Sequence, residues 1–120
     1  MIKNQTLSKR SQYERVYKSG TARGDRYLVV KILENGLEFT RFGFSIRKST
    51  GKAVERNKVR RRLREIVRMQ HIKPGWDIVF IARSRISSAD YHQLEKSVLG
   101  LLNRADLLLN KDEVVSTGVN

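Results

Sequence analysis

The chain has 120 residues, enough for one compact domain, and 39% of them are hydrophobic, which predicts a folded core. Its 25 Lys and Arg residues against 12 Asp and Glu residues give a formal net charge of +13, which predicts a polyanionic partner, nucleic acid above all. The absence of cysteine excludes disulfides and thiolate metal sites, and no apolar run reaches the roughly 18 residues of a membrane-spanning helix. The N-terminal residues lack the apolar core of a signal peptide, so a cytoplasmic protein is expected.

The first predicted element is a short helix over residues 8–19. Ser8 is a suitable N-cap, and Gly20 follows the last turn as the residue that ends the helix. Tyr13 and Tyr17 are four residues apart and therefore share one face. The sequence thus predicts an N-terminal helix with an aromatic face.

Two strands are predicted next, over residues 26–33 and 39–46, because both segments are rich in β-branched and aromatic residues. Asn35 and Gly36 lie between them, and this dipeptide is typical of a turn that needs a positive φ. We therefore predict that the two strands pair as a β-hairpin.

A basic helix is predicted over residues 53–71, with Ser49 or Thr50 near its start. Its apolar stripe consists of Val59, Leu63, Ile66 and Val67. Beside the stripe, an arginine face spans roughly 140° of the helix surface and consists of Arg56, Asn57, Arg60, Arg61, Arg64 and Arg68. Arginines four residues apart repel one another in an isolated helix, whereas a phosphate backbone reverses that penalty. The arginine face therefore predicts phosphate binding rather than a merely solvated charged surface.

The last predicted elements are an apolar strand over residues 77–83 and a C-terminal helix. The strand is continuous enough in apolar residues to be central in a sheet. Ser87 and Asp90 resemble a capping box that opens the helix. Residues 110–120 show no periodicity and are expected to be a frayed, flexible tail.

The stretch GKAVERNKVRRRLRE, residues 51–65, resembles the RNR signature of the bacterial ribonuclease P protein component in residue order and spacing. The segments LSKRSQYERVYKSG, FGFSIRKSTG and PGWDIVFIAR are similar to other segments of that family, so the resemblance extends over residues 7–105. It implies one α+β RNA-binding domain over residues 1–120, with its core at 7–109.

The resemblance also implies the architecture. We expect a two-layer sandwich with a mixed sheet of four strands, an N-terminal helix, a basic crossover helix and a C-terminal helix. A short strand near residues 21–24 would complete the sheet. The crossover between parallel strands at 39–46 and 77–82 is expected to be left-handed, as an exception to the general right-handed rule.

The resemblance implies two RNA-binding surfaces. The arginine face is expected to dock on the catalytic RNA, together with Lys48 and Lys52 from the preceding loop. Tyr13 and Tyr17 are expected to line a cleft for the single-stranded 5′ leader of precursor tRNA, because stacking on aromatic rings tolerates any base sequence. The alternative is that both tyrosines belong to the core.

The family commonly places a third cleft aromatic on its first strand, and this chain has no clean match for it. Val30 stands at that point, and Tyr27 stands earlier in the strand. The far side of the cleft is therefore left open.

No catalytic residue is predicted in the protein itself. The acidic residues are scattered without metal-binding spacing, and His71 and His92 are far apart in the sequence. The resemblance implies that the RNA subunit mainly holds the catalytic Mg²⁺ ions. No small-molecule cofactor is expected, and metal binding by the protein is left open.

The resemblance implies a subunit of the ribonuclease P ribonucleoprotein, which removes the 5′ leader from precursor tRNA by phosphodiester hydrolysis. The subunit would bind the leader and the catalytic RNA and favour Mg²⁺ occupancy, with no membrane partner. A ribosomal or RNA-chaperone protein explains the charge equally well but not the ordered match of segments. A peripheral membrane protein or a stand-alone nuclease fits the short apolar stripe and the scattered acids less well.

Overall fold

The computed structural model describes residues 5–109, which form three α-helices and a five-stranded mixed sheet. The strands are β1 (Gln5–Thr6), β2 (Thr21–Gly24), β3 (Leu28–Glu34), β4 (Arg41–Ser45) and β5 (Trp76–Ala82). The helices are α1 (Arg10–Ser19), α2 (Ala53–Arg68) and α3 (Tyr91–Arg104), and 3₁₀ turns lie at Lys48–Thr50 and Ser84–Ser88. The predicted frayed tail, residues 110–120, lies outside the described residues.

The strand order in the sheet is β1-β4-β5-β3-β2. β5 is parallel to β4 and antiparallel to β3, and it lies at the centre, as its continuous apolar sequence predicted. The α+β class is confirmed, with five strands in place of four because β1 adds a two-residue parallel pairing to β4. The strand that the resemblance implied near residues 21–24 is β2, which pairs with β3.

The predicted hairpin of residues 26–46 is wrong. β3 and β4 are not neighbours, because β5 lies between them and pairs with both. The turn signal itself is correct, since Gly36 has a φ of 71° and the Asn35 side chain accepts a 2.8 Å hydrogen bond from the Leu37 N–H. The chain does reverse direction at this turn, but β3 and β4 do not pair with each other, and β5 occupies the position between them.

The connection between the parallel strands β4 and β5 contains α2, so the predicted crossover through the basic helix is confirmed. Its left-handed sense stays a prediction. Because both strands end at the same edge of the sheet, the 3₁₀ turn after β4 and the start of α2 lie beside the 3₁₀ turn after β5.

Helices cover both faces of the sheet rather than forming a single second layer. The main core lies between the sheet and the helices α2 and α3, and its largest buried side chains include Phe80, Leu28, Leu63, Ile78 and Leu101. On the other face, Val16 of α1 is fully buried in a smaller cluster with Val79 of β5. α1 is therefore separated from α2 and α3 by the sheet.

Two helices begin differently from their predicted caps. Asp90, not Ser87, caps α3: its side chain accepts the Gln93 N–H at 2.7 Å, and the Gln93 side chain accepts the Asp90 N–H at 2.9 Å. In α1 the cap position is Lys9 rather than Ser8, and the Gln12 side chain accepts the N–H groups of Lys9 at 3.0 Å and Ser8 at 2.9 Å. In both helices a glutamine three residues inside satisfies backbone donors of the first turn.

Gly20 ends α1 because of close backbone packing. Its φ of −78° is open to any residue, so the left-handed conformation common at helix ends is not used. A Cβ at this position would lie 2.5 Å from the Val16 carbonyl oxygen and 2.8 Å from that of Ile32. Glycine therefore lets the end of α1 meet β3 directly.

Candidate nucleic-acid interface

The arginine face of α2 is set by burial of the apolar stripe. The main core takes in all four stripe residues, Val59, Leu63, Ile66 and Val67. This fixes the rotation of α2 about its axis and turns the predicted polar residues outward: Asn57, Arg61, Arg64 and Arg68 are exposed, and Arg56 and Arg60 are half-buried. None of the ion pairs within residues 5–109 involves these arginines. The face therefore presents positive charge that the fold does not neutralise.

Two side chains of the arginine face also hold local structure. Arg56 Nη1 donates to the Gly51 carbonyl oxygen at 3.0 Å and lies 3.5 Å from that of Lys48, so it fastens the preceding loop to the helix. Arg60 Nη1 donates to Asn57 Oδ1 at 3.1 Å. These contacts orient both guanidinium groups before any ligand binds, which lowers the entropy that binding has to overcome.

The predicted loop lysines, Lys48 and Lys52, are both exposed beside the N-terminal end of α2. Lys52 occupies the cap position of α2, where its N–H donates to Glu55 Oε1 at 3.1 Å, so neither Ser49 nor Thr50 is the cap. Those two residues lie in the 3₁₀ turn before the helix. The loop thus adds two lysines to the arginine face.

The second predicted surface lies between α1 and the sheet, where Tyr13 and Tyr17 are neighbours. Their ring centroids are 6.4 Å apart, and the ring planes are inclined by 47°. Tyr13 is half-buried, whereas Tyr17 is 38% exposed. Tyr13 therefore packs partly on the protein itself, and Tyr17 is the ring more open to a ligand.

Tyr13 rests on β4 at Gly43. A Cβ built on Gly43 would lie 2.6 Å from both Cε1 and the hydroxyl oxygen of Tyr13, so the ring depends on glycine at this position. Burial raises the pKa of Tyr13 above the ordinary 10.0, while the backbone amide of Phe44 and the Arg60 guanidinium act in the opposite direction. Because β4 leads through the 3₁₀ turn at Lys48–Thr50 into α2, the strand on which Tyr13 rests also leads to the start of the arginine face.

Lys31 of β3 belongs to this surface and was missed in the sequence. Its Nζ lies 5.6 Å from the centroid of the Tyr17 ring and donates to the Tyr17 carbonyl oxygen at 3.1 Å. The position of Lys31 could have been predicted because successive side chains of a strand point to opposite faces of the sheet. Since Leu28 and Val30 lie in the main core, Lys31 lies on the face that α1 covers. We call Tyr13, Tyr17 and Lys31 the tyrosine surface.

Neither candidate for a third cleft aromatic lies on the tyrosine surface. Val30 is buried in the main core, and Tyr27 packs against that same core on the opposite face of the sheet. The sheet beneath α1 instead carries the aliphatic side chains of Leu33, Val79 and Ile81. The surface thus combines two tyrosines and a lysine with an aliphatic floor.

Within residues 5–109, no three His, Asp or Glu side chains come close enough together to hold a metal ion. His71 is exposed after α2, and His92 lies in α3 with its Nδ1 3.9 Å from Glu95 Oε1. In the same span, no helix has both the length and the apolar character needed to cross a membrane.

Comparison with known sequences extends these observations. A sequence model of the Ribonuclease P family matches residues 1–106. The chain is 42% identical over 104 residues to the ribonuclease P protein component of Clostridioides difficile, an alignment that covers 84% of this chain and 91% of the relative. It is also 42% identical over 114 residues to that of Dehalococcoides mccartyi strain CBDB1, with 92% of both chains covered.

Solved structures give the same result. The RNase P protein of Staphylococcus aureus superimposes with a TM-score of 0.79 at 32% identity, covering 87% of this chain and 97% of that one. The RNase P protein of Thermotoga maritima superimposes with a TM-score of 0.77 at 33% identity, covering 82% of this chain and 96% of that one.

Fold and sequence together define a small basic bacterial protein of tRNA processing. The chain belongs to the ribonuclease P protein component family, whose holoenzyme is an endoribonuclease that acts on precursor tRNA.

Proposed function

We propose that the chain binds both the catalytic RNA of ribonuclease P and the 5′ leader of precursor tRNA. One observation carries the proposal: both surfaces adjoin β4, because Tyr13 packs on Gly43 of that strand and the loop with Lys48 leads from the end of the strand to α2. An RNA held by one surface can therefore lie next to an RNA held by the other.

The arginine face is the proposed docking site for the catalytic RNA. Guanidinium groups bind phosphate through two parallel hydrogen bonds, and each contact releases counterions from the RNA. Lys48 and Lys52 extend this field of charge along the edge of the sheet where α2 begins. The mutual repulsion of these cations, which disfavours the free helix, becomes favourable once phosphates lie between them.

The tyrosine surface is the proposed binding site for the leader. The exposed ring of Tyr17 can stack on a base while Lys31, beside that ring, contacts an adjacent phosphate. Tyr13 supports Tyr17 from a half-buried position. Stacking and phosphate contacts do not read base identity, which suits a subunit that has to accept many leaders.

We propose that the RNA subunit holds the Mg²⁺ ions, which supply the hydrolytic chemistry when bound. Arginine and lysine carry only hydrogen-bond donors and cannot ligate Mg²⁺, so the protein acts on phosphates instead. Cations placed between two RNA chains weaken their repulsion, and the complex then needs less Mg²⁺ to form. A cytoplasmic location stays a prediction.

The test is removal of the 5′ leader from a precursor tRNA at low Mg²⁺, with the protein alone, a bacterial ribonuclease P RNA alone, and the two together. We expect efficient cleavage only in the mixture. A protein that adds nothing at any Mg²⁺ concentration would favour a general RNA-binding protein, and cleavage by the protein alone would mean that it holds its own active site.

A matched substrate pair tests the leader site. Tyr17→Ala should weaken holoenzyme binding of precursor tRNA by about 5- to 150-fold, the range given by 1–3 kcal/mol of stacking. Binding of mature tRNA, which has no leader, should stay unchanged. An equal loss for both substrates would show that Tyr17 does not contact the leader.

A further inference from the structure

An open basic groove lies on the opposite face of the sheet from the tyrosine surface, between the turn that joins β2 to β3 and helix α3. We call it the α3 groove and define it by Arg26 from the turn and Lys96, Gly100 and Arg104 from α3. No part of the arginine face or the tyrosine surface lines it.

The groove carries unneutralised positive charge. Arg26, Lys96 and Arg104 are all exposed, and none forms an ion pair within the described part of the chain. Among the described residues, the one acid that lines the groove is Asp25, and both of its carboxylate oxygens accept hydrogen bonds from within the protein. Asp25 Oδ2 accepts the hydroxyl of the buried Ser97 at 2.5 Å.

Asp25 also gives the groove a fixed shape. Its Oδ1 accepts the N–H groups of Tyr27 and Leu28, each at 2.9 Å, which closes the turn. With the Ser97 contact on its other oxygen, the carboxylate ties this turn to α3. Arg26 is therefore held opposite the helix by a rigid connection rather than by a mobile loop.

Gly100 forms bare backbone between two cations. It lies inside α3, where glycine destabilises a helix more than any other residue except proline. Packing does not explain it, because, apart from its chain neighbours and the helix's own backbone, no atom lies within 4 Å of the place that a Cβ would occupy. Lys96 and Arg104 lie four residues before and after it, on the same side of the helix. Gly100 thus leaves room for a ligand beside the helix between two cations.

We propose that the α3 groove binds a second segment of the catalytic RNA through its ribose-phosphate backbone. The inference rests on the proposed function, because it assumes that the chain docks on that RNA. Cations without an exposed aromatic ring suit phosphates rather than bases, since Tyr27 packs against the core. With the arginine face on α2 and this groove on α3, the RNA contacts the protein at two separate places.

The experiment measures the affinity of the full chain for a bacterial ribonuclease P RNA across a series of salt concentrations. The double variant Lys96→Gln/Arg104→Gln should flatten the log–log salt dependence by about 1.4–1.8, at 0.7–0.9 for each phosphate contact. The matched control, Arg15→Gln/Lys18→Gln, removes the same two charge types from exposed positions of α1 and should leave the slope unchanged. Equal slopes for the wild type and the groove variant, or equal flattening by the control, would overturn the proposal.

Gly100→Gln separates binding from stability. A long neutral helix former should raise the melting temperature, because it replaces glycine in a helix where nothing obstructs it. It should also weaken RNA binding by about three- to tenfold by filling the groove. A more stable variant with unchanged affinity would overturn the proposal.

The failures of the two proposals are distinguishable. If Arg60→Gln weakens binding and the groove variants do not, only the second surface is refuted. If the wild-type chain does not bind the ribonuclease P RNA, the proposed function fails first. If the groove variants lose affinity for precursor tRNA but not for the ribonuclease P RNA, the assignment to the catalytic RNA is overturned.

Discussion

Gly43→Ala is expected to displace Tyr13 without removing any charge. The added methyl carbon would lie 2.6 Å from ring and hydroxyl atoms of Tyr13, a separation that non-bonded atoms do not tolerate. Gly43 is buried in β4, which pairs with the central strand, so the ring has to move rather than the backbone. Overpacking of this kind should lower the free energy of unfolding by about 1–3 kcal/mol. For a domain of this size, that corresponds to a fall of several degrees in melting temperature.

A double-mutant cycle with Tyr13→Ala checks the cause. Removing the ring gives the methyl group space, so Gly43→Ala should cost at least about 1 kcal/mol less in that background. Urea unfolding followed by circular dichroism gives the four free energies. If Gly43→Ala costs the same with and without the Tyr13 ring, the reasoning is refuted, because the clash would not involve Tyr13.

Arg60→Gln and Arg64→Gln should each flatten the log–log salt dependence of binding to a ribonuclease P RNA by about 0.7–0.9, and unchanged slopes in both would contradict the role of the arginine face. Asp77→Asn should cost about 3 kcal/mol in urea unfolding, because the buried carboxylate accepts two hydrogen bonds from Arg41, at 2.7 and 2.8 Å. A cost near zero would argue against that pair as a structural tie. Stability should also decline as the pH rises above about 10, because burial raises the pKa of Tyr13 in the folded state. The neutral phenol contributes fully to the free energy of unfolding below the pKa that Tyr13 has in the unfolded chain. This contribution is lost as the pH rises through the higher pKa of the folded state. Alkaline unfolding of Tyr13→Phe should lack this part of the decline, and identical profiles would contradict the assignment.

The elements were largely predictable because their signals are local. The stripe that begins at Val59 determines both the helix and its rotation, so the outward direction of Arg64 follows from the sequence alone. The order of the strands in the sheet cannot be derived from the sequence pattern in this way. Alternation in β3 shows which side chains share a face, but it does not show that β5, some forty residues later, is the strand that pairs there. The predicted hairpin failed for this reason.

The residues of the candidate site were also predictable where the signal was local and not where it depended on long-range contacts. The arginine face was predictable because one helix carries all of it. Lys31 and Gly43 were missed because their importance depends on α1 crossing the face of the sheet that they share. The bond between Asp25 and Ser97 joins positions 72 residues apart, so the groove beside it also required the three-dimensional structure.

The central position of β5 also bears on synthesis of the chain. β3 pairs with β2 and β4 pairs with β1, but only β5 joins these two pairs into one sheet, and β5 is the last of the five strands to leave the ribosome. Until residue 82 has been made, the two strand pairs cannot be joined into the complete sheet, and such distant pairing is slow to form. The highly charged segment that becomes α2 therefore emerges before the sheet that will orient it. Folding of this protein is consequently a late event in translation, completed only when the C-terminal third of the chain arrives.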